Sequence, residues 1–161
     1  MEGNRTVCFT GHRDIAFFSR ERLRRALECE IERQIQLGAV HFRTGGAIGF
    51  DTMAALAVLK LKDKYPHIRL ELILPFPDQA KSWSLHDSKL YGQILQCADS
   101  CSYVSEHYYN GVYLHRNDRL LRDADVCIAY LKQSDRGGSA YTCARAVTMG
   151  LDFVNLGEAC E

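Results

Sequence analysis

Hydrophobic residues along this chain alternate between short continuous runs and longer stretches in which they recur every three to four positions. A short run is typical of a buried strand, and a longer periodic stretch is typical of an amphipathic helix. The first strand and helix are clearly indicated. An apolar strand at Thr6–Thr10 is followed by a stretch in which Leu23, Leu27 and Ile31 recur every four residues. Ser19 stands where it can cap this helix, so the helix is predicted to begin there.

The same alternation continues to the end of the chain. It predicts strands at Thr6–Thr10, Ala39–Arg43, Leu70–Leu74, Cys101–Val104, Val126–Leu131 and Asp152–Leu156. It predicts helices over about 19–37, 51–65, 85–97, 112–124 and 140–149. Strands that are joined through helices run parallel, so we predict an α/β fold, a Rossmann-like three-layer sandwich with a mostly parallel central sheet. No linker or repeat divides the pattern, and we expect one domain over residues 1–161.

The charge and hydropathy of the chain exclude several classes of protein. Its 161 residues include 20 basic and 20 acidic side chains, so no net charge favours nucleic acid or an anionic membrane. No apolar stretch approaches the ~20 residues of a membrane span, and the first residues lack the apolar core of a signal peptide. We therefore expect a cytoplasmic protein that binds no membrane, with nucleic acid an unlikely ligand.

The seven cysteines are scattered rather than grouped in CxxC pairs. Several fall inside predicted strands, where a thiol acts as a small buried hydrophobe, and this usage suits a reducing compartment. Cys97 and Cys101 form the only close pair, and no partner motif accompanies them. We therefore expect no metal site.

Four loops follow predicted strands and meet at one edge of the predicted sheet. They contain Gly11-His12-Arg13, Thr44 to Asp51, Pro75-Phe76, and Gly137-Gly138-Ser139. In open parallel sheets, ligands bind beyond the carboxyl ends of the strands, where strand order reverses. The agreement of the four loops predicts a site for a nucleotide-type ligand at this edge.

The loop after the second predicted strand reads Thr44-Gly45-Gly46-Ala47-Ile48-Gly49-Phe50-Asp51 and leads into a helix. Its glycines allow a tight turn and a close approach to a ligand, and the helix directs free N–H groups at that ligand. Gly137-Gly138-Ser139 opens another helix in the same way. Neither loop has the spacing of GxGxxG or GxxxxGKS/T, which argues against classical dinucleotide binding and Walker-type ATP hydrolysis. A purely structural strand-to-helix turn is the alternative for each loop.

Charged and aromatic side chains near these loops supply candidate chemistry. The guanidinium of Arg13 can fork onto two phosphate oxygens, whereas His12 is either a hydrogen-bond donor or a loop residue. Arg116-Asn117 lies on a predicted helix and faces either the ligand or solvent. The rings of Tyr108, Tyr109 and Tyr113 offer faces on which a base could stack. The predicted ligand contacts are Gly11, His12, Arg13, Thr44, Gly45, Gly46, Ala47, Gly49, Asp51, Pro75, Phe76, Arg116, Asn117, Gly137, Gly138 and Ser139.

Asp51 is the strongest candidate for a catalytic group, as a general base. At the start of a predicted helix, it either caps the helix or points at a ribose hydroxyl or a reacting water. No Ser-His-Asp arrangement, HExxH motif or second carboxylate on the same loop accompanies it. The residues therefore leave open whether the protein catalyses a reaction.

In their order along the chain, these motifs resemble those of the YpsA-like proteins, a bacterial family (DUF1273) of the SLOG superfamily. The resemblance rests on Gly11-His12-Arg13, Thr44 to Asp51, Leu74-Pro75-Phe76, Arg116-Asn117 and Gly137-Gly138-Ser139, and it spans nearly the whole chain. It implies a Rossmann-like fold and a pocket for nucleotides or nucleotide-derived ligands.

The resemblance extends to two groups of superfamily relatives, with one departure from each. LOG enzymes cleave cytokinin nucleoside monophosphates and carry PGGxGTxxE with a catalytic glutamate, whereas Ala144 stands at that position here. The DNA-processing protein DprA has a glycine loop similar to Gly45 to Asp51 and binds single-stranded DNA, whereas this composition shows no basic groove. LOG-type relatives commonly pair, and an apolar helix face would make a homodimer reasonable here.

The leading hypothesis is a small-ligand binding protein that acts as a nucleotide sensor or regulatory module. The expected ligand is a nucleotide or an ADP-ribose-like molecule, with its phosphates between the two glycine loops and with Arg13 and Arg116 adding positive charge. One alternative is an enzyme that hydrolyses an N-glycosidic or phosphoester bond of a nucleotide. A second alternative is an interaction protein whose glycine loops are purely structural.

Overall fold

A computed structural model describes residues 4–132 and 137–157. Its strands are β1 (Arg5–Gly11), β2 (Ala39–Thr44), β3 (Arg69–Leu74), β4 (Ser100–Tyr103), β5 (Val126–Tyr130) and β6 (Asp152–Asn155). Its α-helices are α1 (Arg20–Gln36), α2 (Phe50–Lys62), α3 (Leu85–Cys97), α4 (Val112–Leu121) and α5 (Gly138–Thr148). The strands form one sheet in the order β4-β3-β2-β1-β5-β6, and every neighbouring pair is parallel. The predicted Rossmann-like α/β fold is therefore confirmed.

Helices cover both faces of the sheet, and the sheet separates the hydrophobic core into two parts. The larger part lies between the sheet and helices α1, α2 and α3, and Phe9, Leu27, Phe42 and Phe50 are fully buried in it. On the opposite face, α4 and α5 pack over a smaller cluster around Cys127. The central strands are buried on both faces, which explains why they appear in the sequence as continuous apolar runs.

Strand order reverses beside β1, at the centre of the sheet. The chain builds outward from β1 through β2, β3 and β4, and then crosses to the other side of β1 to form β5 and β6. The N–H of His12 donates to the carbonyl of Tyr130 at 3.3 Å, which ties the ends of β1 and β5 together. Open α/β sheets bind ligands beyond the carboxyl ends of the strands at such a reversal.

The beginning of α1 differs from the prediction. A 3-10 turn at Phe17–Ser19 precedes the helix, which begins at Arg20. Ser19 holds the N-cap position, but its side chain makes no capping hydrogen bond. Its backbone has φ of −91° and ψ of −14°, which is a helical conformation rather than the extended one from which a serine caps.

Two predicted helices end earlier than expected. Helix α2 ends at Lys62 rather than at Tyr65, and α4 ends at Leu121 rather than at Ala124. Asp123 has φ of 60°, a left-handed conformation that cannot continue a helix. The other elements agree with the prediction to within two residues at each end.

The cysteines that the structure describes are free thiols. Buried ones are Cys8, Cys127 and Cys143, and exposed ones are Cys29, Cys97 and Cys101. Cys160 lies outside the described residues. Across residues 4–132 and 137–157, no helix combines the length and the apolar character that spanning a membrane requires.

Candidate functional site

A cavity of about 320 Å³ opens at the carboxyl end of β1, where strand order reverses. Its walls come from β1 and the two residues after it, from the first glycine loop (residues 44–49) with the start of α2, from α4, and from the first turn of α5. The lining residues are Phe9, Thr10, Gly11, His12, Arg13, Ala47, Asp51, Tyr113, Arg116, Asn117, Leu120, Gly138 and Ser139. Residues from the first glycine loop and from the second (residues 137–139) therefore meet at one cavity.

The predicted ligand contacts fall into two groups around this cavity. Those that line it are Gly11, His12, Arg13, Ala47, Asp51, Arg116, Asn117, Gly138 and Ser139. Those that are not among its lining residues are Thr44, Gly45, Gly46, Gly49, Pro75, Phe76 and Gly137. That any of these residues contacts a ligand stays a prediction.

The second glycine loop forms the start of α5 and is joined to the end of β1. The hydroxyl of Ser139 donates to the carbonyl of Gly11 at 2.9 Å. Gly137 is the N-cap, with φ of 103°, and as a glycine it has no side chain with which to cap the helix. Because Gly138 and Ser139 line the cavity, the partial positive charge of the helix N-terminus lies beside it.

Arg116 places a guanidinium at the cavity although the residue is only 5% exposed. Its Nη1 donates to the carbonyl of Gly45, and its Nε donates to Oδ1 of Asn117 at 2.8 Å. Burial lowers the pKa of Arg116 from its ordinary value, although the negative charge of Asp51 opposes that shift. A largely desolvated guanidinium that lines a cavity attracts anions more strongly than one in water.

Asp51 is the only carboxylate among the described residues that line the cavity. It lies in the first turn of α2 and is 7% exposed, and its Oδ2 accepts the N–H of Ala47 at 3.2 Å. This contact closes the glycine loop. Asp51 is not the N-cap of α2, because Gly49 holds that position. Burial raises the pKa of Asp51 above its ordinary value, against the opposing influence of Arg116, the Ala47 N–H and Arg13.

The glycines of the first loop are required by packing within the protein. Gly46 has φ of 72°, and a Cβ there would lie 2.3 Å from Cδ2 of Leu74. Gly49 has φ of 83°, and a Cβ there would lie 2.2 Å from the backbone oxygen of Arg13. Side chains at these positions would strain the backbone and collide with their neighbours.

Backbone N–H groups of the first loop donate to atoms of the protein. Ala47 donates to Asp51, and Gly46 donates weakly to Oγ1 of Thr44 at 3.5 Å. Directly after the loop, Phe50 at the start of α2 donates to the carbonyl of His12 at 3.0 Å. A phosphate at this loop would therefore compete with internal hydrogen bonds for the backbone N–H groups. Ala47 and Asp51 line the cavity. The positive groups at the cavity wall include the Arg116 guanidinium on α4 and the N-terminus of α5.

Arg13 and Tyr113 form the outer part of the cavity wall. Arg13 is exposed, and its guanidinium carbon lies 5.7 Å from the centre of the Tyr113 ring. The guanidinium carbon of Arg116 lies 5.8 Å from the same ring. Both distances are within the range of cation–π attraction, so the ring helps to hold two positive groups near each other.

Several residues of the site were missed from the sequence. Phe9 and Leu120 line the cavity but belong to the apolar periodicity of a strand and a helix, so no signal separates them from the core. Gln79 is 7% exposed, and its Nε2 donates to the carbonyl of Gly46 at 3.2 Å. It lies in a polar stretch of sequence, where nothing marks it as a support of the glycine loop.

The position that carries a glutamate in LOG enzymes does not reach this cavity. Ala144 is exposed on α5 and is not a lining residue. Ala144 therefore supplies no acid or base here, and the lining residues that could do so include Asp51 and His12. The cavity thus combines two guanidinium groups, a helix N-terminus and one buried carboxyl. The positive groups suit an anionic ligand, and the carboxyl is a candidate proton acceptor or donor.

In a comparison with protein families, the chain matches the family described as the YspA SLOG family over residues 7–151. The UPF0398 protein BH1768 of Halalkalibacterium halodurans is 30% identical over 132 residues, which cover 81% of this chain and 67% of that protein. The UPF0398 protein ABC2016 of Shouchella clausii is 29% identical over 127 residues, covering 77% of this chain and 68% of that protein. The chain thus spans about two thirds of the length of these relatives.

Among solved structures, the fold is similar to DNA processing protein A from Helicobacter pylori. The TM-score is 0.65 at 20% sequence identity, over 94% of this chain and 64% of that chain. That structure was described for its mode of binding single-stranded DNA. A likeness at this level of identity establishes the fold alone, so the expectation that nucleic acid is not the ligand stays a prediction.

Proposed function

Because the chain belongs to the YspA SLOG family, we propose that it binds a nucleotide or nucleotide derivative and acts as a sensor or regulatory module. The phosphate group would lie in the cavity beside β1, between Arg116 and the first turn of α5. The observation that carries this proposal is the burial of the Arg116 guanidinium at the cavity wall.

The energetics of the cavity support an anionic ligand. Burial disfavours the charge of Arg116, so the folded protein bears a cost that an incoming phosphate would offset by charge-assisted hydrogen bonds. The N-terminus of α5 and the exposed Arg13 add positive potential at the same cavity. The volume of about 320 Å³ lies at the small end of the range for ligand pockets, ~300–1,000 Å³.

Calorimetry with AMP, ADP, ADP-ribose, NAD and cyclic nucleotides tests the proposal. At least one ligand should bind, and Arg13→Ala should weaken its binding by ~1.5–3 kcal/mol, the value of a hydrogen bond to a charged group. Arg22→Ala is the matched control, since Arg22 is exposed on α1 and is not a lining residue of the cavity. Equal losses in the two variants would point to a general charge effect and would remove Arg13 from the site.

A lack of binding across the whole panel would favour the interaction protein with structural glycine loops. Single-stranded oligonucleotides belong in the same series because of the fold shared with DNA processing protein A. Tight oligonucleotide binding that Arg13→Ala abolishes would overturn the proposal of a small ligand.

The second candidate function is hydrolysis of an N-glycosidic or phosphoester bond in a nucleotide. One observation favours it, namely the buried carboxyl of Asp51 at the cavity with its pKa raised by burial. A raised pKa brings a carboxyl closer to the range in which it exchanges a proton with a substrate or water. Chromatographic detection of free base or ribose phosphate, lost in Asp51→Asn, would identify the enzyme.

A further inference from the structure

Three aromatic rings form a cluster beside the cavity, and one of them, Tyr113, is a lining residue. Phe76 follows β3, Tyr108 lies in the loop before α4, and Tyr113 lies in the first turn of α4. Ring centres are 5.9 Å apart for Phe76 and Tyr108, 6.1 Å for Phe76 and Tyr113, and 6.3 Å for Tyr108 and Tyr113. We call this cluster the aromatic platform.

Burial differs sharply across the platform. Phe76 is 8% exposed and forms its base, whereas Tyr108 is 62% exposed. Tyr113 is half-buried and lines the cavity. A large aromatic face is therefore presented to solvent immediately next to the candidate ligand site, and it rests on rings that fix its position.

The loop that carries Tyr108 is held by hydrogen bonds on both sides of that residue. The N–H of Ser105 donates to the carbonyl of Pro75 at 3.1 Å, and the hydroxyl of Ser105 donates to the carbonyl of His107 at 2.7 Å. On the other side, the N–H of Val112 donates to the carbonyl of Tyr109 at 3.1 Å. A ring held in this way loses little conformational freedom when a ligand stacks on it.

The platform is continuous with the positive part of the cavity. The guanidinium groups of Arg13 and Arg116 lie 5.7 Å and 5.8 Å from the centre of the Tyr113 ring. Positive charge thus meets the platform at Tyr113, and the exposed ring of Tyr108 lies 6.3 Å beyond it. A nucleotide has the matching construction, with a flat aromatic base at one end and an anionic phosphate at the other.

We propose that a nucleobase stacks on the exposed ring of Tyr108 while its phosphate lies against Arg116. This inference rests on the proposed function and adds the part of the ligand that the platform recognises. Stacking tolerates different bases because every base has a π face, so the platform selects for a base without requiring a particular one.

Titrations of two kinds of ligand separate the platform from the phosphate site. One is the tightest binder among AMP, GMP, CMP and UMP, and the other is ribose 5-phosphate, which lacks a base. The wild-type protein should bind the nucleotide ~5-fold or more tightly than ribose 5-phosphate, the gain typical of stacking one base on an aromatic residue.

Substitutions of Tyr108 then locate the base. Tyr108→Ala should remove ~5-fold or more of the nucleotide affinity and leave ribose 5-phosphate unchanged, whereas Tyr108→Phe, which keeps the ring, should retain wild-type affinity. Tyr141→Ala is the control, since Tyr141 is an exposed tyrosine on α5 that is not a lining residue of the cavity.

The outcomes distinguish failure of the platform from failure of the proposed function. If the nucleotide and ribose 5-phosphate bind equally well, and Tyr108→Ala changes neither, the platform is overturned while the phosphate site stands. If Tyr108→Ala weakens both ligands equally, Tyr108 acts by shaping the site rather than by stacking, and the platform is again overturned. If neither ligand binds the wild-type protein, the proposed function and the platform fail together.

Discussion

Arg116 donates a hydrogen bond from Nη1 to the backbone carbonyl of Gly45 and so joins helix α4 to the first glycine loop. The two residues are 71 positions apart in the sequence, and the contact is buried. The same guanidinium lines the cavity, so the group that is proposed to meet the phosphate also fixes the loop that carries Ala47 and Asp51. One side chain therefore links the position of the loop to the proposed binding of an anion.

Gly45→Ala should disturb that contact and destabilise the protein. A Cβ at Gly45 would lie 2.8 Å from Nη1 and 2.9 Å from Cζ of Arg116, and the buried guanidinium has little room to move. We expect a loss of ~1–3 kcal/mol in the free energy of unfolding, measured with urea, as for other overpacked interiors.

Gly92→Ala is the matched control for this substitution. Gly92 lies inside α3, and a Cβ there meets no atom within 4 Å. Alanine is a better helix former than glycine, so this variant should be unchanged or more stable by up to ~1 kcal/mol. Equal effects of the two substitutions would contradict the steric argument at Gly45.

Most of the fold could be predicted from the sequence because its signals are local and agree with one another. The four-residue period of Leu23, Leu27 and Ile31 identifies α1, and continuous apolar runs identify the central strands. Ser19 could not be interpreted in this way, because a serine caps a helix only when its backbone is extended, and here a 3-10 turn sets that conformation. Backbone geometry of this kind is not encoded in residue type.

The candidate site was predicted less completely, for a physical reason that Arg116 illustrates. Its sequence position suggested a helix face, either solvated or facing a ligand, but its burial depends on the packing of α4 against a loop far away in sequence. The glycines of residues 44–49 are conspicuous in the sequence. In the structure they leave room for Leu74 and Arg13, which a Cβ at Gly46 or Gly49 would meet. Sequence pattern identifies unusual residues, whereas only tertiary contacts reveal what they approach.

Asp51→Asn should change the pH dependence of stability in a definite direction. Burial raises the pKa of Asp51, so the folded protein retains this proton at pH values at which the unfolded chain has lost it. The contribution of Asp51 to the free energy of unfolding is fully present below the pKa of the unfolded chain, about 3.9. It is lost as the pH rises through the higher pKa of the folded state. Asparagine does not titrate and still offers an acceptor to the N–H of Ala47.

Urea unfolding of the wild type and of Asp51→Asn tests this sign. As the pH rises above about 4, the variant should become progressively more stable relative to the wild type until the carboxyl of the folded wild type has lost its proton. Asp78→Asn, at an exposed position, should show no such trend. A relative stability of Asp51→Asn that falls as the pH rises would mean that the attraction of Arg116 and Arg13 outweighs burial.

Ser139→Ala should loosen the start of α5 from the sheet. The hydroxyl of Ser139 donates to the carbonyl of Gly11 at 2.9 Å, so its removal leaves that acceptor without this partner and should cost ~1 kcal/mol in the free energy of unfolding. Thr148→Ala is the control, because Thr148 donates to the carbonyl of Ala144 within the same helix at 3.0 Å. If both variants lose the same stability, the link from α5 to β1 contributes nothing beyond a local helix contact.

Ligand binding should be accompanied by proton uptake at Asp51. A phosphate in the cavity would add negative charge near this carboxyl and would draw on the positive charge of Arg116 and Arg13, which now opposes the raised pKa. The pKa of Asp51 should therefore rise further in the complex, and up to about one proton should be taken up as the ligand binds.

Calorimetry at one pH in two buffers with different ionisation enthalpies measures this uptake directly. Subtracting the uptake of Asp51→Asn from that of the wild type leaves the proton uptake that depends on the Asp51 carboxyl, including its interaction with the phosphate. A difference of zero across about pH 5 to pH 8 would show that phosphate and carboxyl do not interact, and would place the anion away from Asp51.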